Sequence, residues 1–180
     1  MGLDELLSGL RQADSVIFVE AWRRWRGGGL LPRRADMDLR DIRRCLMHVM
    51  LCEVRGPDEV LVRVSGSRIA DSLDFELTGN NYKDRTDPTD WPERSRHFIE
   101  MTARPCGGFM QFRDEVRPGR VNAFETVSLP LEADEPARPR LVLSLNTPLD
   151  RDFERHGRAG GSVVAALDFI YVDIGAGVPN

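Results

Sequence analysis

The sequence predicts an α+β domain built on an antiparallel sheet, and three observations carry that prediction. Apolar residues recur at helical spacing near the start and in the middle of the chain, and at a period of two in the runs between and after them. The order is helix, two strands, several helices, three strands. Strands therefore come in blocks and do not alternate singly with helices, which argues against a doubly wound parallel sheet. With 180 residues, 41% hydrophobic and 30% charged, the chain has the size and balance at which a single core suffices without disulfides or metal.

Asp14 or Ser15 is placed to cap a first helix in which Phe18, Trp22 and Trp25 fall at i, i+4 and i+7 and form one apolar stripe. Gly27, Gly28 and Gly29 end it, and Asp36 is placed to cap a short second helix around Asp38 to Cys45. The period then becomes two. Leu46, His48, Met50, Cys52 and Val54 share one face of a strand, Gly56, Pro57 and Asp58 make a turn, and Val60, Val62 and Val64 continue a hairpin that closes at Gly66. Short helical pieces follow at Ile69 to Leu73 and Asn80 to Arg85. Asp90 then caps a longer helix from Trp91 to about Ala103, with Trp91, Phe98 and Met101 on its inner face.

Three strands close the pattern: Phe109 to Val116, Val121 to Leu131 and Leu141 to Asn146. Pro118 and Gly119 turn between the first two. A Gly-rich stretch near Gly157 to Gly161 precedes Val163 to Ile174, which has the composition of a sixth strand. This organisation divides the chain into an N-terminal helical extension, 1–28, and a domain, 29–180.

Composition narrows the function classes. The longest apolar run falls far short of the roughly 20 residues a membrane span needs, and the acidic N-terminus lacks the pattern of a secretory signal. A cytoplasmic protein is expected. Cys45, Cys52 and Cys106 are odd in number and contain no CxxC pair, so neither a disulfide framework nor a zinc site is expected. Formal charge is 25 − 29 = −4, which calls for neither nucleic acid nor an anionic membrane as partner. Of the 25 basic residues only Lys83 is lysine, and eight arginines lie between Arg23 and Arg44. They read as a solvated face or as a docking patch for an acidic partner.

The motifs that carry chemistry are absent or weak. Lys83 lacks the glycines of a phosphate-cradling loop, and Gly175 and Gly177 open no helix. His48 and Cys52, four residues apart on a strand, would stand about 13 Å apart and cannot share an ion. Cys106 reads as a thiol in a turn, and neither His97 nor His156 carries a motif that would make it the base. The Trp-Arg mixture from Trp22 to Arg26 is explained by helical spacing more cheaply than by nucleic-acid stacking. No catalytic residue and no metal ligand is assigned.

The order of short motifs is informative: Trp22 and Trp25; Leu31-Pro32-Arg33-Arg34-Ala35-Asp36; the strand Leu46 to Val54; Arg63-Val64-Ser65-Gly66-Ser67; Leu77-Thr78-Gly79; and Leu129-Pro130-Leu131. This succession, over about Trp22 to Thr147, resembles a proteobacterial PAS-type sensor domain family, with Ser67 standing where that family commonly has threonine. The resemblance implies a five-stranded antiparallel sheet with helices on one face, preceded by a tryptophan-bearing amphipathic helix; the segment from Asp150 to Asn180, with its apolar run Val163 to Ile174, lies beyond that core and could add a sixth strand. It also implies a ligand pocket against the long helix, lined from among His48, Met50, Cys52, Arg63, Phe98, Met101, Phe112 and Phe124. The cofactor is left open. The reading is of a non-enzymatic, stand-alone sensory or ligand-binding module that acts on a separate signalling partner. A pure adaptor or dimerisation domain without ligand, or a small enzyme of another class, are the alternatives. The stripe of Phe18, Trp22 and Trp25 packs either on its own domain or on a second copy, and a homodimer through it is expected.

Overall fold

A computed structural model describes residues 1–73, 75–117, 120–133, 135, 140–149 and 166–179. Within them the chain forms α1 (Leu3–Gly9), α2 (Ala13–Arg26), β1 (Val49–Gly56), β2 (Glu59–Ser65), α3 (Ser67–Leu73), α4 (Trp91–Ala103), β3 (Gly107–Arg117), β4 (Arg120–Leu131), β5 (Leu141–Pro148) and β6 (Ala166–Val172). The strands make one sheet in the order β2-β1-β5-β4-β3-β6. Every pairing is antiparallel. The predicted hairpin, the long helix with its bounds, and the three later strands are all present, and the run ending at Ile174 supplies the sixth strand.

Helices cover both faces of this sheet. α1 and α2 lie on one, where Leu6, Phe18, Val19 and Trp22 join Val49, Leu51, Val127, Leu129, Leu131, Leu143 and Leu145 in a single apolar cluster. α3 and α4 lie on the other, where Phe98 and Met101 pack with Met50, Cys52, Val60 and Val62. The middle-of-chain helices thus share one face as predicted, while the N-terminal helix takes the opposite one.

That placement decides what the Phe18, Trp22 and Trp25 stripe does. Phe18 and Trp22 are fully buried and Trp25 is 8% exposed. Trp22 Nε1 donates to the Pro130 carbonyl at 3.0 Å, and Trp25 Nε1 donates to Asp41 at 2.9 Å. A buried indole needs such a partner, and both partners come from the same chain. The stripe packs on its own sheet, so the expectation that it forms a homodimer seam is corrected: no side chain of it is free to meet a second copy.

Two local expectations are also corrected. In place of the helix read around Asp38 to Cys45 there is one 3₁₀ turn, Leu39–Ile42, capped by Asp38, which accepts from the Arg40 amide at 3.0 Å, and a separate 3₁₀ turn, Arg34–Asp36, precedes it. β1 begins at Val49, because Leu46–His48 is a further 3₁₀ turn. The backbone of Met47 runs directly against Gly66, where a Cβ would come within 2.4 Å of the Met47 carbonyl oxygen, and Gly66 N donates to Val49 O at 2.8 Å. This close approach holds His48 in the turn, out of the strand face it was read to share with Met50. Gly27, at φ +54°, ends α2 as expected.

Most of the arginine-rich stretch neutralises itself. Arg23 pairs with Asp4, Arg24 with Asp41, Arg33 with Asp36, Arg40 with Asp38 and Arg44 with Asp14, all within 3.3 Å. Pro118, Gly119, His156 and the stretch Gly157 to Gly161 lie outside the described residues.

Candidate functional site

α4 is fixed across the sheet at both of its ends. Trp91 Nε1 and Ser95 Oγ both donate to the Pro57 carbonyl, at 3.0 and 2.5 Å, so the first turn is tied to the β1–β2 connection. At the other end the Arg140 guanidinium donates to the Thr102 carbonyl, and the Tyr171 hydroxyl of β6 donates to Glu100. Between these ties the strands present a mixed surface. Thr126 Oγ1 donates to Asn146 Oδ1 at 2.9 Å, and the Ser128 and Ser144 hydroxyls bond each other at 2.8 Å. Each pair bridges β4 to β5 and satisfies itself, so polar side chains sit in the interior without orphaned groups.

Two cavities open over this surface. The larger, about 680 Å³, is bounded by Met47, His48, Met50, Ile69, Leu73, Leu77, Tyr82, Met110, Phe112, Phe124, Asn146 and Leu149, together with Arg11, Arg68, Arg85 and Arg94. The smaller, about 250 Å³, lies under α4 between His97, Phe98, Met101, Met110, Ser128, Ser144 and Phe169, with Asp90, Glu93 and Asp168 beside it. Met50, Tyr82, Arg94, Met110 and Asn146 belong to both. The Phe112 and Phe124 rings stack with centroids 4.7 Å apart and form an apolar wall of the larger one.

β6 closes the smaller cavity. Phe169 stacks on His97 with ring centroids 3.8 Å apart and planes within 8°. The ring fits there because position 108 has no side chain: a Cβ on Gly108 would meet a Phe169 ring carbon at 2.4 Å and Met101 Sδ at 3.1 Å. Burial lowers the His97 pKa to about 4, against the opposing pull of Glu93. His48 is half-buried and is also lowered, chiefly by burial, with Arg68 pushing the same way and Asp14 opposing.

The sequence-predicted pocket residues separate cleanly. His48, Met50, Phe112 and Phe124 line the larger cavity, and Met50, Phe98 and Met101 line the smaller. Cys52 and Arg63 are corrected. Cys52 is on the same face but fully buried among Val54, Val60 and Val62, its thiol pushed up to about 12 by burial. Arg63 is exposed and pairs with Glu53 at 3.6 Å, on the face away from the cavities. Cys106, read as a turn thiol, is fully buried, and its pKa rises to about 11 through burial.

The arginines at the larger cavity were not found by sequence reasoning. They come from four separate segments, and each alone reads as an ordinary surface residue. The polar pairs did carry a signal. In β4, Phe124, Thr126 and Ser128 alternate with the apolar row of Val127 and Leu129, and that apolar row faces α2.

Residues 11–145 match the family described as PAS domain. The chain belongs to that family. α1 and β6 lie outside the matched span. Among curated proteins no sequence matches. Among solved structures this PAS domain is similar to the PAS domain of a protein from Colwellia psychrerythraea, at 12% identity over 62% of this chain and 98% of that one, TM-score 0.44. It is similar to a Rhodobacter sphaeroides LOV protein at 11% identity over 64% of this chain and 70% of that one, TM-score 0.42. A fungal LOV domain photoreceptor is similar at 17% identity over 56% of this chain and 73% of that one, TM-score 0.40. Among the described residues no group of three or more His, Cys, Asp or Glu side chains is placed to hold a metal ion, and no helix is long and apolar enough to cross a membrane.

Proposed function

We propose that the protein is a sensory PAS module that binds a small molecule between its sheet and helices α3 and α4 and reports occupancy to a separate partner protein. The observation that carries this reading is the cavity of about 680 Å³ over a face of the sheet that the same strands could have filled with apolar side chains. Its size falls in the range of small-molecule sites, and its mixture of apolar walls with a few placed polar groups is the composition of such sites.

A route outward is built next to the cavity. Phe124 lines it, and the following residue, Glu125, points to the opposite face, fully buried, where its carboxylate accepts from the backbone amides of Arg11 and Gln12 at 2.9 and 3.3 Å. Those two residues lead directly into α2. A ligand that shifts Phe124 would therefore move a strand position tied to the start of the N-terminal helix.

Native mass spectrometry of the purified protein tests the binding half of the proposal. The expected result is a retained or exchangeable small molecule that is lost when the cavity is filled by Met110→Trp in a variant that still folds. An unliganded mass in the wild type, together with no stabilisation by any member of a broad small-molecule panel, would overturn it.

A further inference from the structure

Resting on that reading, we propose that the larger cavity selects an amphiphilic organic anion, its carboxylate or phosphate head held by arginines at the rim and its apolar body lying against Met110, Phe112 and Phe124. Among the described residues, the ionisable side chains that bound this cavity are Arg11, Arg68, Arg85, Arg94, His48 and Tyr82, with no aspartate or glutamate. This concentration occurs in a chain whose formal charge is −4.

Many arginines elsewhere make the contrast, although Arg26 and Arg104 donate to backbone carbonyls and are not ion-paired among the described residues. Along the N-terminal segment and the β1–β2 hairpin, Arg23, Arg24, Arg33, Arg40, Arg44 and Arg55 are each matched with a carboxylate. Among the described residues none of the four guanidiniums at the cavity is ion-paired with a carboxylate; the Arg11 backbone amide, on its other side, donates to Glu125 at 2.9 Å. Arg85 instead lies with its guanidinium over the Phe75 ring, 3.4 Å from the centroid, a contact that orients the planar fork and neutralises nothing. Guanidinium forks bind carboxylate and phosphate oxygens in pairs, and several of them around one cavity with no ion-paired carboxylate among the described residues are complementary to an anion from outside.

The second cavity fixes the orientation. Asp90, Glu93 and Asp168 stand beside it and, among the described residues, Arg94 is its one arginine, so an anionic head is disfavoured there. The head belongs at the larger cavity's rim, and the apolar body extends over the Met50 and Met110 surface that the two cavities share. His48, held neutral by its surroundings at physiological pH, offers a hydrogen bond and no competing charge.

The experiment titrates four ten-carbon probes into protein stripped of co-purified material on an apolar resin: decanoate, decyl phosphate, decanol and decylammonium. At least one of the two anions is expected to bind tenfold or more tighter than decanol and decylammonium, with an affinity that falls as salt rises. Decanoate above decyl phosphate assigns a carboxylate head, and the reverse order a phosphate ester. The double variant Arg68→Gln/Arg94→Gln should erase that preference while decanol binding stays as in the wild type, and Arg68→Lys/Arg94→Lys should restore part of it. Decanol binding as tightly as both anions, or a preference that survives the glutamine double variant, sinks the anion assignment and leaves the sensor reading intact. Failure of every probe, with no small molecule retained by the untreated protein, sinks both.

Discussion

The two faces of the sheet are made by the same strands, yet they are finished differently. Toward α2, β4 and β5 present Val127, Leu129, Leu131, Leu143 and Leu145, and this side closes into a continuous apolar cluster with Phe18 and Trp22. Toward α4 the intervening residues are Phe124, Thr126, Ser128, Ser144 and Asn146, and this side encloses the cavities. One face spends its burial on stability. The other holds polar groups in mutually satisfied pairs, which lets space stay open without the cost of orphaned donors.

The sharpest way to break the comparison is Trp22→Ala. The side chain is fully buried and its indole N–H is bonded to Pro130, so the loss should be about 3–5 kcal/mol, read as a shift in the urea midpoint. Sedimentation should show no dissociation accompanying it, since the side chain meets only its own chain.

Acid comes next. The fold holds His97 neutral, with its pKa near 4, so between about pH 6.5 and 4 the unfolded chain binds the proton that the folded one refuses. Stability is therefore complete above about 6.5 and lost as pH falls toward 4, by on the order of 2 kcal/mol from this group. His97→Phe keeps a ring against Phe169 and should flatten that part of the pH profile, with His48 and the carboxylates supplying what slope persists. An unchanged profile would mean that the ring is solvated and the closure by β6 is loose.

The finest comparison uses adjacent residues of β5. Leu143→Ala, on the α2 face, should cost about 2–5 kcal/mol. Ser144→Ala, one residue later and facing the smaller cavity, should cost less than about 1 kcal/mol, because water reaching the cavity can take over the bond to Ser128. Equal costs, measured by chemical denaturation, would erase the distinction between the faces.

Much of this architecture was legible before folding. The spacing of Phe18, Trp22 and Trp25 marked α2 and its buried side, Trp91 to Ala103 marked α4 with its inner residues, and period-two runs marked the strands. Of the pocket candidates, the apolar Met50, Phe98, Met101, Phe112 and Phe124 line one cavity or the other. Arg63 failed because alternation reports that neighbours face opposite ways and does not say which way is inward, and in β2 it is Val60 and Val62 that turn to α4. His48 was misplaced onto a strand because the close approach of Gly66 to Met47 joins residues far apart in the sequence.

By itself the sequence determined which segments are helices and strands and which residues of each are apolar, since both follow from periodicity and from local backbone preference. Tertiary structure alone decided which helix covers which face, that the tryptophan stripe is consumed inside the chain, and that Arg11, Arg68, Arg85 and Arg94 meet around one cavity. Those outcomes depend on contacts between residues distant in the chain. A charge carries no mark of the charges it will be folded beside.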